Sequence, residues 1–331
     1  MPHRLPLQIS ENLALPVLVA PLFLVSGPDM VLASCAAGMG GSFPAPNCRT
    51  INDLERWLDQ ISRGVAQLRA SGQKAGPWAF NMVVHRTYPR LEAELELVSK
   101  YRPPLVITAL GSPASVIEAV HSYGGLVFAD VNSVRFARKA AAAGVDGLIL
   151  VSAGAGGHVG PLAGFAFLPE VRQFWDGPLV LAGAISDGRA VRAAEVLGAD
   201  LAYLGTRFFA TRESMAADEY KDLLITAGAE DVALTNAVTG VPANFLSESL
   251  AAAGYDPKGG IIERTVNFED DPHDEAKAWK NIWSAGQGVG ATRRVQSVAG
   301  VADELKAEYA AAVAQGQAPN PWLQQWATAA E

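Results

Sequence analysis

Charge and cysteine are scarce in this chain, and unbroken apolar runs of membrane length are absent. Only 18% of its 331 residues are charged. The 26 bases are outnumbered by 34 acids, for a net charge of -8. No Lys/Arg run reaches the density of a nucleic-acid-binding face, so no nucleic-acid partner is expected. The same balance argues against an anionic membrane surface. Two cysteines, Cys35 and Cys48, make no disulfide framework, and without a CxxC pair they suggest no zinc site. Asp270, Asp271, His273 and Asp274 cluster in sequence, but their spacing matches no metal loop and reads as a solvated charge run, so no metal is expected. The apolar stretch from Leu13 to Val25 is short and broken by Pro16 and Pro21. It is neither a transmembrane helix nor part of a signal peptide, and a soluble cytoplasmic protein without a membrane partner is expected.

What is abundant is apolar and conformationally special. Half the residues are hydrophobic, enough for a large core. Glycine (32) and proline (20) together make about 16% of the chain, above the roughly 12% of average usage. Disorder and coiled coil are therefore excluded for the chain as a whole.

Short apolar runs fit for strands buried on both faces recur at regular intervals. They are Pro16–Ala20, Met39–Phe43, Trp78–Val83, Leu105–Ala109, Leu126–Asp130, Gly147–Val151, Leu179–Ala182 and Leu201–Leu204. Helical periodicity separates them, over Ile51–Ser71, Pro89–Tyr101, Ser115–Tyr123, Val134–Ala143 and Gly188–Leu197. Eight successive strand–helix units predict a closed (β/α)8 TIM barrel, with an open doubly wound sheet as the rival. After strand eight the pattern changes. Helices are expected over Ser214–Ala229 and within Asn236–Tyr255, and a solvated acidic loop over Glu263–Lys280. The expected organisation is a barrel of residues 1–213 and 286–331 with a helical insertion at 214–285. A final helix runs from about Val298 to Ala312, and the tail with Trp322 and Trp326 could form a homodimer face or pack on the barrel.

Barrel chemistry sits at the carboxyl ends of the strands, and the glycines concentrate there. SAGAGGHVG follows strand six, GAISDG strand seven and GTRFFAT strand eight. Glycine lets backbone N–H groups approach an anion, so Gly183, Gly205 and the Thr206 hydroxyl form a candidate phosphate cradle, unless these glycines only make tight turns. The stretch Gly154–Gly160 resembles a broken dinucleotide fingerprint, but it runs into Pro161 and no acid ends a following strand. His158 is one of five histidines and lies among glycines facing the predicted pocket. An imidazole titrating near neutrality is suited to taking a proton there. His85 and Arg86, after strand three, could hold an anionic substrate or merely cap a loop. Asn81 is a polar residue inside an apolar strand and needs a partner.

Three segments in this order, AGVDGLILVSAGAGGHVG (143–160), LVLAGAISDGRAVRAAEVLGADLAYLGTRFFATRES (179–214) and SAGQGVGA (284–291), resemble the nitronate monooxygenases, formerly 2-nitropropane dioxygenases. The resemblance implies an FMN-dependent barrel oxidising alkyl nitronates with O2. It places the catalytic base on His158. It places FMN contacts on Asn81, Val151, Gly156, Gly157, Gly183, Tyr203, Leu204, Gly205 and Thr206, with Ala20 and Pro21 beside the ring and Gln287 as a further contact. Better-known members carry Gln and Glu where this chain has Val151 and Gly154, so the substrate pocket reads as remodelled. The same flavin loops occur in NAD(P)H-dependent reductases of quinones and other acceptors, which stay open as the alternative. A barrel that binds flavin or phosphate without catalysis also stays open.

Overall fold

The computed structural model describes residues 4–262, 281–320 and 322–323. All eight predicted strands form one parallel sheet: β1 (Val17–Val19), β2 (Gly41–Pro44), β3 (Trp78–Val83), β4 (Leu105–Ala109), β5 (Leu126–Val131), β6 (Gly147–Val151), β7 (Leu179–Ala182) and β8 (Leu201–Leu204). Neighbours pair in sequence order, and β1 pairs with β8. The remaining seam closes at one bridge, where Val19 N donates to Gly40 O (2.8 Å) and Gly40 N donates to Val17 O (2.9 Å). The sheet is thereby nearly closed into a barrel, as the sequence reading expects.

Strand alternation divides the apolar residues into two layers. Leu18, Ala79, Leu105, Ile107, Phe128, Ile149, Val180 and Leu201 fill the barrel lumen. Val17, Val19, Phe80, Val106, Leu148, Leu150, Leu181 and Leu204 face the surrounding helices. Burial on both faces is why these strands read as continuous apolar runs.

The outer helices are α1 (Pro28–Ala36), α2 (Ile51–Ala70), α3 (Leu91–Tyr101), α4 (Ala114–His121), α5 (Val134–Ala143), α6 (Gly164–Arg172) and α7 (Gly188–Leu197). Each start has a local cause where the sequence supplies a cap. Thr50 accepts from Asp53 N and Asp53 returns a bond to Thr50 N, and Leu54, Leu58, Ile61 and Val65 then line the buried stripe of α2. Ser133 caps α5 and Asp187 caps α7. Helices α1 and α6 begin without a side-chain cap and leave no such mark in the sequence.

The segment after β8 departs from the helical expectation. It holds helix α8 (Asp218–Thr226), then an antiparallel hairpin of β9 (Val232–Thr235) and β10 (Ala243–Leu246), then α9 (Ser247–Ala252). The stretch expected to be one helix within Asn236–Tyr255 thus begins as a strand. ANFL runs directly into helical SESLAA and hides the change of period. β10 also pairs antiparallel with Gly157–His158, which extends the hairpin to three strands. The acidic stretch 263–280 and Trp326 lie outside the described residues; Trp322 is 63% exposed.

The final helix α10 (Val298–Gln317) returns to the barrel wall. Tyr309 donates its hydroxyl proton to Glu195 Oε2 (2.6 Å), and Glu308 Oε2 accepts from Gly188 N (2.8 Å). No helix among the described residues is long and apolar enough to cross a membrane. Both cysteines are free and buried, and burial pushes their thiols up to about 12.

Candidate active site

The carboxyl ends of all eight strands open into one cavity of about 1660 Å³. Its walls include Ala20, Pro21, Asn81, His85, Val151, Gly156, Gly157, His158, Gly183, Tyr203, Gly205 and Thr206. Twelve of the fifteen residues singled out from sequence therefore face one space. The other three do not. Leu204 is fully buried against the outer helices, and only its carbonyl, which accepts from Ala20 N (2.9 Å), reaches the strand-one side. Gln287 is exposed, and its N–H donates to Gly154 O. Arg86 points to solvent.

The guanidinium on that wall belongs to Arg90 instead. Its Nη1 donates to Cys48 O (2.7 Å), and its Nε lies 3.2 Å from the buried Glu94 carboxylate, which also accepts from the Tyr88 hydroxyl (2.7 Å). Burial drives the Glu94 carboxyl up to about 7. Arg90 was hidden in sequence because what anchors it is a helix residue and a distant carbonyl.

The loop after β6 is held from several sides. Gly154 O accepts from Ala184 N and from Gln287 N, both at 3.0 Å. Asn244 Nδ2, from β10, donates to Ala153 O (2.9 Å) and Ala155 O (2.7 Å). Ser152 Oγ donates to Ala182 O (2.6 Å). Asn244 plays no part in the sequence reading, since a residue that pins backbone carbonyls far away leaves no local signal.

Two glycines here are sterically required. Gly183 has φ +119°, and a Cβ there would lie 2.1 Å from Ser152 Oγ. A Cβ on Gly154 would lie 2.8 Å from that of Ala184. Of four non-glycine residues with positive φ among the described residues, three line this cavity: Leu24, Leu110 and Ala184. Backbone strain is thus concentrated at the site.

His158 faces the cavity but is remote from bulk solvent, and burial lowers its imidazole from 6.5 to about 4. It is therefore neutral at physiological pH. Its Nε2 lies 3.3 Å from Thr239 Oγ1 in the hairpin turn.

The floor carries polar groups in an apolar barrel. Asn81 Nδ2 donates to Ile107 O (3.3 Å). Asp130 Oδ1 and the Tyr203 hydroxyl are buried without a hydrogen-bond partner among the described residues. Burial raises the Asp130 carboxyl from 3.8 to about 7. Burial first, and then the Asp130 carboxylate, push the Tyr203 phenol well above 10.

A planar ligand with a phosphate tail fits these features. The glycine turn at Gly183 and the start of the short helix Thr206–Phe209 lie on one wall, where Phe208 N already donates to Gly205 O (2.8 Å) and the first N–H groups precede any intrahelical acceptor. Thr206 Oγ1 accepts from Gly286 N (2.9 Å), which leaves its own proton to donate. Arg207 of the same segment is not available to a ligand. It is buried, and it bonds Ala291 O and Glu304. No group of three or more His, Cys, Asp and Glu residues suited to a metal occurs among the described residues.

Comparison with known proteins agrees with this architecture. Among solved structures, a nitroalkane oxidase from Streptomyces ansochromogenes superposes with a TM-score of 0.78 at 24% identity, covering 93% of this chain and 99% of that one. FabK from Thermotoga maritima gives 0.76 at 22% identity, covering 93% and 97%. These likenesses show the fold. Among curated relatives, an octahydro-indene-carboxyl-CoA dehydrogenase of Rhodococcus jostii is 27% identical over 71% of this chain and 63% of its own length. Its counterpart in Mycobacterium tuberculosis is 27% identical over 75% and 67%. The chain thus spans about two thirds of these two relatives. A nitronate monooxygenase of Paraburkholderia phytofirmans is 28% identical over 73% of this chain and 76% of its own. The family profile described as nitronate monooxygenase matches residues 49–308, most of the chain. The chain belongs to the nitronate monooxygenase family of oxidoreductases.

Proposed function

We propose that the protein binds FMN in this cavity and oxidises alkyl nitronates or nitroalkanes with O2. The observation that carries the reading is the joint placement of a neutral histidine and the glycine walls around one cavity. Bound FMN would supply the two-electron acceptor that O2 reoxidises. Gly183, Gly205 and Thr206 would hold the phosphate, and Asn81, Ala20 and Pro21 would border the ring. His158 removes the α-proton of a neutral nitroalkane or orients a nitronate that has already lost it. The apolar walls keep bulk water from the reacting carbon.

A second reading is NAD(P)H-dependent reduction of quinones or other acceptors. The cavity supports it, because about 1660 Å³ exceeds the roughly 300–1000 Å³ of a usual ligand pocket and leaves room beside a flavin. The experiment is an absorbance spectrum of the purified protein, then anaerobic titration with a nitronate and separately with NADH and NADPH. Flavin bleaching by the nitronate alone supports the first reading. Bleaching by the nicotinamides alone replaces it with the second. A colourless protein that takes up no FMN overturns both.

A further inference from the structure

The barrel floor contains a carboxyl that the fold itself does not use. Asp130 lies one residue before the end of β5 in the cavity wall, and its Oδ1 is buried with no partner among the described residues. Burial alone accounts for its perturbation; no cation offsets it. The Tyr203 hydroxyl on β8 likewise makes no hydrogen bond of good geometry among the described residues, although Ser42 stands near it, and it lies close enough to Asp130 to feel its charge. Two unsatisfied buried oxygens on one floor, one an acceptor and one a donor, destabilise a protein that gains nothing from them. Their complement is a ligand.

We propose that Asp130, backed by Tyr203, is a positioning residue for the N–H/C=O edge of the ring bound in the cavity. Asp130 Oδ1 accepts an N–H from the ring, and the Tyr203 hydroxyl donates to the neighbouring ring carbonyl. The class of ligand is a heterocycle with an imide or lactam edge. The pyrimidine part of FMN has such an edge, and to that extent the proposal rests on the reading above. A carboxylate beside that edge also opposes negative charge on the reduced ring, so Asp130 holds the reduction potential of the bound ring down.

The test separates a ligand-facing role from a structural one. Asp130→Leu and Tyr203→Phe each remove an orphaned oxygen. The melting temperature of the FMN-free protein is expected to stay level or rise, while the FMN Kd weakens about tenfold in each variant. With Asp130→Asn, which removes charge and keeps shape, the midpoint potential of bound FMN is expected to move positive. Lower melting temperatures with unchanged Kd and unchanged potential would overturn the proposal. Should either substitution at Asp130 fail to fold, Tyr203→Phe decides by Kd alone. Wild-type protein that takes up no added FMN refutes the functional reading itself, whereas normal FMN uptake with indifferent variants refutes only the role of Asp130.

Discussion

Thr239 Oγ1 stands 3.3 Å from Nε2 of His158, joining the loop after β6 to the hairpin turn of the segment inserted after β8. The Thr239 hydroxyl proton goes to Val241 O (3.1 Å). With that proton committed, the Thr239 hydroxyl oxygen is the acceptor toward the His158 ring, which favours the proton on Nε2. The tautomer follows from the hydrogen-bond network.

Replacing His158 by Ala is expected to lower turnover of neutral nitroalkanes by about two orders of magnitude or more, and that of preformed nitronates far less. An imidazole held near about 4 keeps its lone pair across the neutral range. Wild-type kcat/KM for a nitroalkane should therefore lose no His158-dependent rate between pH 6 and 8, and fall only as pH drops toward 4. Steady-state kinetics on both substrates check this. Equal losses on both would remove His158 from the proton-transfer step.

Asn244→Ala strips two donors from the carbonyls of Ala153 and Ala155. One or two part-buried carbonyls lose their partners, at a cost of about 1–3 kcal/mol, or roughly 1–4 °C in melting temperature for a chain of this length. Calorimetry measures the loss. Nitroalkane kcat should fall with it, because His158 sits on the same loop.

Gly154→Glu would install the residue that better-known members carry at this position. Here it is expected to destabilise, by about 1–3 kcal/mol, because the new Cβ meets Ala184 at 2.8 Å while the Gly154 carbonyl is fixed by two N–H donors. Denaturant unfolding decides it. A variant of unchanged stability would show that the loop yields freely.

Asp130 gives stability a signature in pH. Its folded-state value, about 7, lies above the 3.8 of the free carboxyl, so the folded protein binds this proton more tightly. Its contribution is most favourable below pH 4, is lost as pH rises to 7, and is flat above. His158, lowered from 6.5 to about 4, acts oppositely over pH 4 to 6.5 and masks part of the effect. The Asp130→Asn variant should accordingly gain more over wild type at pH 8 than at pH 4, a difference that melting curves at the two values resolve.

Strands were legible because a barrel strand is apolar on both sides, and β3 to β8 keep their predicted places within a residue. The glycine loops were legible through steric demand, as at Gly183. The hairpin was not. ANFL is four residues long, has no flanking turn of the usual two-residue kind, and merges into a helix. Arg90 and Asn244 escaped for another reason. Each acts through partners remote in sequence, Cys48 O for one and the Ala153 and Ala155 carbonyls for the other. In sequence Asp130 is no more than the last residue of an expected strand. Its importance lies in having no partner, which only three dimensions reveal.

The pairing of Gly157–His158 with β10, and of Gly154 O with Gln287 N, also sets an order in time. Both partners are made long after the histidine loop leaves the ribosome. The eight strands are complete at Leu204, so barrel pairing can begin while the loop has nothing to close on. Competence arrives with the last quarter of the polypeptide. A chain cut short after the barrel strands would keep its histidine and lack the strand and the N–H that hold its loop.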